Sequence, residues 1–231
     1  MIKLVKKLLS QEAVLKIKTD KQLHSMFKNV LSKNKNQKWL DVGCGSTPYK
    51  HVFNDHSYTG IDIERDAYGQ AKKFADKFYD GKNIPFLDLA FDGVLCTQVL
   101  GVCDDEVILV KEINRVLKEG AYAVIATPFI YREVEKPYDF RRFTSYGIAK
   151  LLEKNNFKVI KNIKILSGME TIGVMLNNYI VNNFKTKLVR RFFILFVCLP
   201  LRIIFSTLSL IMPDNRDLFC VSVILAKKIK N

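Results

Sequence analysis

Four short apolar runs, at residues 39–42, 58–63, 91–96 and 121–126, each end in a turn or an acidic residue and alternate with helix-like stretches. No other feature constrains the chain as much. Strands separated by helices cannot pair as tight hairpins, so they form a mostly parallel sheet with helices on its faces, an α/β fold. The clearest helical stretches are 104–117 and 144–155. The first opens with Asp104, Asp105 and Glu106, which suit the positive end of a helix dipole, and closes before Gly120. Two later runs, 157–166 and 218–226, read as further strands. Residues 1–36 read as a helix in which Ile2, Val5, Leu8, Leu9, Val14, Leu15 and Ile17 are interleaved with Lys3, Lys6, Lys7, Lys16 and Lys18. That basic amphipathic pattern suits a membrane surface or the cap of a domain, and the lysines within the apolar run make a poor signal peptide.

The charge is unevenly placed. Of a net +14, residues 1–38 hold +8 and residues 184–231 hold +7, while 39–183 balance at −1. A nucleic-acid enzyme carries its positive charge around the working cleft. Here the centre is neutral and both ends are basic, which excludes nucleic acid as the expected partner and suits an anionic membrane surface, at roughly 1 kcal/mol per basic residue near the headgroups. Cys44, Cys96, Cys103, Cys198 and Cys220 include no Cys-x-x-Cys pair, and the three histidines are scattered. The expectation is a reducing, cytoplasmic compartment, with neither a disulfide framework nor a metal site.

Residues 192–212 are apolar except for Arg202, Ser206, Thr207 and Ser209, with Pro200 in the middle. The length permits a membrane span. Arg202 near the centre and the break expected at Pro200 argue against one, and Arg202, Ser206 and Ser209 fall on one helical stripe. The reading is two shorter helices forming a hairpin in one leaflet, flanked by Lys185, Lys187, Arg190 and Arg191; a buried or dimerising helix pair is the alternative. The domain organisation is then a basic helical segment over 1–38, a core of 39–166 and 214–231, and a hydrophobic helical insertion over 167–213.

Chemistry concentrates in four segments. Trp39-Leu-Asp-Val-Gly-Cys-Gly-Ser-Thr-Pro-Tyr49 is a strand running into a glycine turn, which lets backbone approach a ligand at the carboxyl edge of a sheet. A dinucleotide fingerprint places a third glycine where Pro48 stands, and no Gly-Lys-Ser/Thr is present, so a pyrophosphate-bound nucleotide is disfavoured. About twenty residues on, Tyr58-Thr-Gly-Ile-Asp-Ile63 puts Asp62 at a second strand end, where a carboxylate accepts from ribose hydroxyls. Tyr79-Asp80-Gly81, with Ile84-Pro-Phe86 after it, offers a carboxylate to an adenine amine. The run 91–100 is a strand ending in Thr97-Gln-Val-Leu100 at the switch point.

With these segments in order, the chain resembles the class I S-adenosylmethionine-dependent methyltransferases, specifically a type-11-like subgroup associated with bacterial surface-polysaccharide and lipid-linked glycan enzymes. The likeness runs from Trp39 to Ile160 and resumes over 218–228, through Glu112-Ile-Asn-Arg-Val-Leu-Lys118, Thr127-Pro-Phe129 and Pro137-Tyr-Asp-Phe-Arg-Arg-Phe-Thr144. It implies a Rossmann-like sheet of seven strands with an antiparallel last strand, and hydrophobic helices before that strand. It also implies S-adenosyl-L-methionine as cofactor. Gly43, Cys44 and Gly45 would lie at its methionine and ribose, Asp41 at the methionine amine, Asp62 and Ile63 at ribose and adenine, Asp80 and Gly81 at adenine, and Thr97 or Gln98 near the sulfonium.

Two departures stand out. Gly101-Val102 replaces the family's usual Glu-His, and Val134-Glu135 replaces its usual His-Glu, so both general-base histidines are missing. Glu135, Asp139 and His51 are the remaining catalytic candidates, with Tyr131, Tyr138 and Phe140 as acceptor-pocket candidates. The expectation is a methyltransferase, peripheral or monotopic on the inner face of the cytoplasmic membrane. Its acceptor would be a lipid-linked glycan or another small amphiphile, and it could form a homodimer. A non-catalytic S-adenosylmethionine-binding scaffold and a methyltransferase of a soluble substrate are the other readings.

Overall fold

A computed structural model describes residues 11–31, 36–64, 71–184 and 186–229. The chain forms two compact units, one of residues 22–128, 133–163 and 222–231, the other of residues 1–21, 129–132 and 164–221. Seven strands, β1 (Lys38–Val42), β2 (Ser57–Ile63), β3 (Lys77–Tyr79), β4 (Phe91–Thr97), β5 (Leu117–Pro128), β6 (Phe157–Ser167) and β7 (Phe219–Lys228), make one sheet in the order β3-β2-β1-β4-β5-β7-β6. The last strand is antiparallel to the rest, as the resemblance implies. β1 pairs in parallel with β2 on one side and β4 on the other, so the strand order reverses between β1 and β4. Trp39, Leu40 and Val42 are fully buried, which is why β1 reads as a near-continuous apolar run.

The helices of this first unit are fixed by caps and by apolar spacing. Asp105 caps α3 (Glu106–Val116), its Oδ1 accepting from the Val107 and Ile108 amides at 2.9 Å. Leu109, Val110, Ile113 and Val116 recur every three or four residues and bury the sheet-facing stripe. The helix ends at Val116 and β5 begins at once, so Gly120 lies inside a strand and is not the expected stop. Thr144 caps α4 (Ser145–Glu153) through the Gly147 amide. The first ten residues of the expected N-terminal helix lie outside the described residues; the helix observed is α1 (Gln11–Leu31). Its second half caps the domain: Leu23, Met26 and Phe27 are buried, with the Phe27 ring edge-on to Trp39 at 5.7 Å. A short helix, α2 (Ala71–Phe74), and a 3₁₀ turn (Lys50–Phe53) complete the unit.

The second unit holds a helical hairpin between β6 and β7. It comprises α5 (Met169–Asn183), α6 (Lys187–Phe193), a π-helical turn (Ile194–Cys198) and α7 (Leu199–Ile211), with α5 packed on α7. The expected break at Pro200 does not occur. Leu199 donates to the Ile194 carbonyl five residues back, and the widened turn takes up the proline ring that an α-helix could not pass. Residues Leu188–Ile211 therefore run as one helix of 24 residues, and the hairpin's bend lies instead between α5 and α6. Its base is tied by the Gly168 amide to the Leu218 carbonyl (2.8 Å), Ser167 to Asp214 (2.7 Å) and the buried Thr171 hydroxyl to the Leu166 carbonyl.

Candidate active site

Where the strand order reverses, the carboxyl ends of β1 to β4 enclose a cavity of about 690 Å³. The turn after β1 forms one wall. Gly43 adopts φ +70°, and a Cβ there would come within 2.2 Å of Val99 Cγ2, so only glycine lets this wall close on the loop after β4. The amides of Gly43 and Cys44 both donate to the Ile61 carbonyl, and the Gly45 amide donates to Asp62 Oδ2 at 2.8 Å. The Ile63 amide donates to Asp62 Oδ1 at 2.8 Å. Asp62 is thus oriented by backbone amides on both oxygens at the mouth of the turn.

Gly43, Gly45, Asp62, Ile63, Asp80, Gly81, Thr97 and Gln98 all line this cavity. Asp80 does so from a turn that it organises itself. Its carboxylate accepts from the Lys82 and Asn83 amides and from Asn83 Nδ2, and these bonds hold its pKa down at about 2. Two expected cofactor residues do not line it. Cys44 is buried with its Sγ against Gly60, and burial pushes its thiol up to about 12. Asp41 lies within β1, 1% exposed, where Oδ2 accepts from the Tyr58 hydroxyl at 2.6 Å and Oδ1 has no hydrogen-bond partner among the described residues. Burial raises the Asp41 carboxyl to about 7; the Tyr58 bond opposes this and the Asp62 charge adds to it.

The cavity also draws on residues that the sequence reading did not assign to the site: Ser46, Glu64, Phe78, Tyr79, Val99, Val102, Cys103 and Asp104. Ser46, Tyr79 and Val99 lie inside the recognised motifs and Glu64 adjoins one, so strand-end position was the available signal. Val102, Cys103 and Asp104 arrive through the turn after β4, in which the Val102 and Cys103 amides donate to the Val99 carbonyl. Gly101, where the resemblance implies Glu, is packed under the segment around Arg141. It accepts from the Phe140 and Arg141 amides, and a Cβ would sit 2.9 Å from the Arg141 carbonyl.

The three catalytic candidates separate. Glu135 lines the cavity from a backbone at φ +51°, a conformation an L-residue adopts at a cost. Asp139 does not line it. Both its oxygens are held by Arg142, Oδ2 also accepts from the Val134 amide at 2.7 Å, and the Arg142 guanidinium lowers its pKa, which makes it a loop brace. His51 is also outside, in the 3₁₀ turn with its Nε2 3.2 Å from that of His24. Tyr138 and Phe140 pack edge-to-face on each other and are not in the lining.

Residues 40–125 match a family described as a methyltransferase domain. O-methyltransferase resE of Aspergillus sclerotiorum is 26% identical over 71% of this chain and 70% of its own. A fatty-acid O-methyltransferase of Mycolicibacterium smegmatis is 26% identical over 58% and 52%. Among solved structures, the fold resembles phosphoethanolamine N-methyltransferase 2 of Haemonchus contortus in complex with S-adenosyl-L-methionine, at TM-score 0.56, 14% identity and coverage of 91% of this chain and 53% of that one. It equally resembles the 4+2 cyclase SpnF, at TM-score 0.56, 15% identity and coverage of 91% and 81%.

Proposed function

We propose that this chain, an S-adenosylmethionine-dependent methyltransferase by its domain and relatives, works on the cytoplasmic face of a membrane and methylates an oxygen of a lipid-linked glycan or a similar amphiphile. The cavity residues fit the cofactor: a turn in which Gly43 leaves no room for a Cβ against Val99, beside a carboxylate already oriented by two amides. Bound there, S-adenosylmethionine would supply an electrophilic methyl group on sulfur. The chain's own part is to hold an acceptor hydroxyl in line, where alignment supplies much of the acceleration, and to accept the proton released as the new carbon–oxygen bond forms. Glu135 is the cavity carboxylate assigned that proton. Transfer to oxygen draws support from relatives named as O-methyltransferases, one of them acting on a fatty acid.

The observation that carries the membrane reading is the helix Leu188–Ile211, in whose apolar stretch only 6% of the residues are buried. Phe192, Phe196, Ile203 and Leu210 form an exposed apolar line along this helix, which is about 36 Å from end to end at 1.5 Å per residue. Exposed Arg190 and Arg191 stand at one end, matching the charge of an anionic bilayer. The Thr207 and Ser209 hydroxyls donate to the Ile203 and Ser206 carbonyls of their own helix, so neither needs water. The hairpin leaves the sheet from β6 and returns to it as β7, which favours insertion into one leaflet over a crossing.

Vesicle flotation tests this. The full chain should float with phosphatidylglycerol-containing vesicles, less so at high salt, and a Phe196→Asp/Leu210→Asp variant should stay in solution. If the wild-type chain ignores vesicles and the same double variant converts a dimer to a monomer, the face is a dimer interface and the membrane reading fails.

A further inference from the structure

We infer that the groove between residues 129–132 and α5 is a saccharide-binding subsite. This deepens the glycan reading of the acceptor and rests on it. The groove encloses about 370 Å³, near the lower end of ligand-pocket sizes, roughly 300 Å³ upward. Its lining shares no residue with that of the cofactor cavity, and nothing in the methyl-transfer chemistry uses it.

The sequence of α5 points to it first. Residues 177–183 read Asn-Asn-Tyr-Ile-Val-Asn-Asn, four asparagines in two helical turns. Asparagine is a poor helix former because its amide competes for backbone hydrogen bonds. Positions that break a local rule without a structural gain are where function is expected. Three of the four, Asn178, Asn182 and Asn183, line the groove together with Tyr179, Tyr131 and Arg132. The fourth, Asn177, is 2% exposed, and neither of its amide atoms has a hydrogen-bond partner among the described residues.

The composition selects the ligand. Each asparagine presents a donor pair and an acceptor, the complement of a hydroxyl, which both gives and accepts. Asn182 Nδ2 is fixed on the Asn178 carbonyl at 2.7 Å, which holds that side chain in place with its Oδ1 as an acceptor. Tyr179 is 70% exposed, and the Tyr131 ring has the Arg132 guanidinium 5.8 Å from its centroid, so two aromatic surfaces flank the amides. A metal or ammonium ligand would call for carboxylates, and the lining has none. A polyanion would call for several cations, and an acyl chain would leave three amides unsatisfied. A neutral polyol with apolar faces, which is a pyranose ring, meets all of these groups.

The test uses the full chain labelled with ¹⁵N-asparagine, titrated into the tens of millimolar with methyl glycosides of the gluco, galacto, manno and 2-acetamido-gluco series and, separately, with inorganic phosphate. S-adenosylmethionine affinity is measured in the same samples. Saturable shifts of the Asn178 and Asn182 side-chain amides are expected with at least one sugar. Tyr179→Ala should weaken that binding about tenfold and leave S-adenosylmethionine affinity unchanged. No saturable shift with any sugar while S-adenosylmethionine still binds would overturn the subsite and leave the methyltransferase reading standing. A response to phosphate alone would also overturn it, as would sugar binding indifferent to both Tyr179→Ala and Asn182→Leu.

Discussion

Replacing Asp41 by asparagine probes the most heavily perturbed carboxylate at the head of the cofactor turn. Burial within β1 lifts its pKa from 3.8 to about 7. In the unfolded chain the same group titrates near its ordinary value, so between about pH 4 and pH 7 the folded protein holds a proton that the unfolded chain has released. Stability must therefore fall as pH rises through that window, because above it folding buries a charge. About three pH units at about 1.36 kcal/mol each give roughly 4 kcal/mol in all, of which about 2.5 kcal/mol falls between pH 5 and pH 8. The amide introduced by Asp41→Asn does not titrate, and its oxygen can still accept from the Tyr58 hydroxyl. Urea unfolding of both proteins at pH 5 and pH 8 should show the gap between them shifting by about 2–3 kcal/mol in favour of the Asp41→Asn variant at pH 8. Parallel pH profiles, within 0.5 kcal/mol or so of each other, would refute the buried-carboxyl account, since that is the scatter of independent substitutions.

Three other substitutions separate site from scaffold. Gly43→Ala meets both a left-handed backbone and a 2.2 Å approach to Val99; a loss of about 2–4 kcal/mol in urea unfolding is expected, together with weakened cofactor binding. Glu135→Gln should lower kcat about 10²–10⁴-fold with S-adenosylmethionine affinity intact, and an unchanged kcat would remove it from the proton-transfer role. Asp139→Ala deprives Arg142 and the Val134 amide of their partner, so it should cost about 2–4 kcal/mol of stability. A variant of normal stability that has lost only turnover would contradict the brace assignment.

The α/β architecture was legible because β1, β2 and β4 are central to the sheet and write themselves as apolar runs. β3 was not, since Lys77–Tyr79 is a three-residue edge strand with no fully buried side chain. Motif spacing located Gly43, Asp62 and Gln98 because it encodes where strands end, and strand ends form the cavity. Asp41 and Cys44 share the motif and still face elsewhere: one sits inside the strand, and the other turns its side chain onto Gly60. The continuity of Leu188–Ile211 through Pro200 depends on a π turn, a backbone adjustment that side-chain patterning does not announce. His51 looked available because its partner His24 is supplied by the fold, whereas the Asp139–Arg142 pair, three residues apart, was open to the sequence.

On the proposed function, the cavity at the carboxyl ends of β1, β2 and β4 would hold S-adenosylmethionine with Asp62 as its anchor. Calorimetric titration of the folded full chain tests it directly. Saturable micromolar binding is predicted, with Asp62→Ala weakening it about 100-fold or more while circular dichroism stays native, given that hydrogen bonds to a charged group are each worth roughly 1.5–3 kcal/mol. No binding by a folded sample, or equal binding by wild type and Asp62→Ala, would contradict the claim.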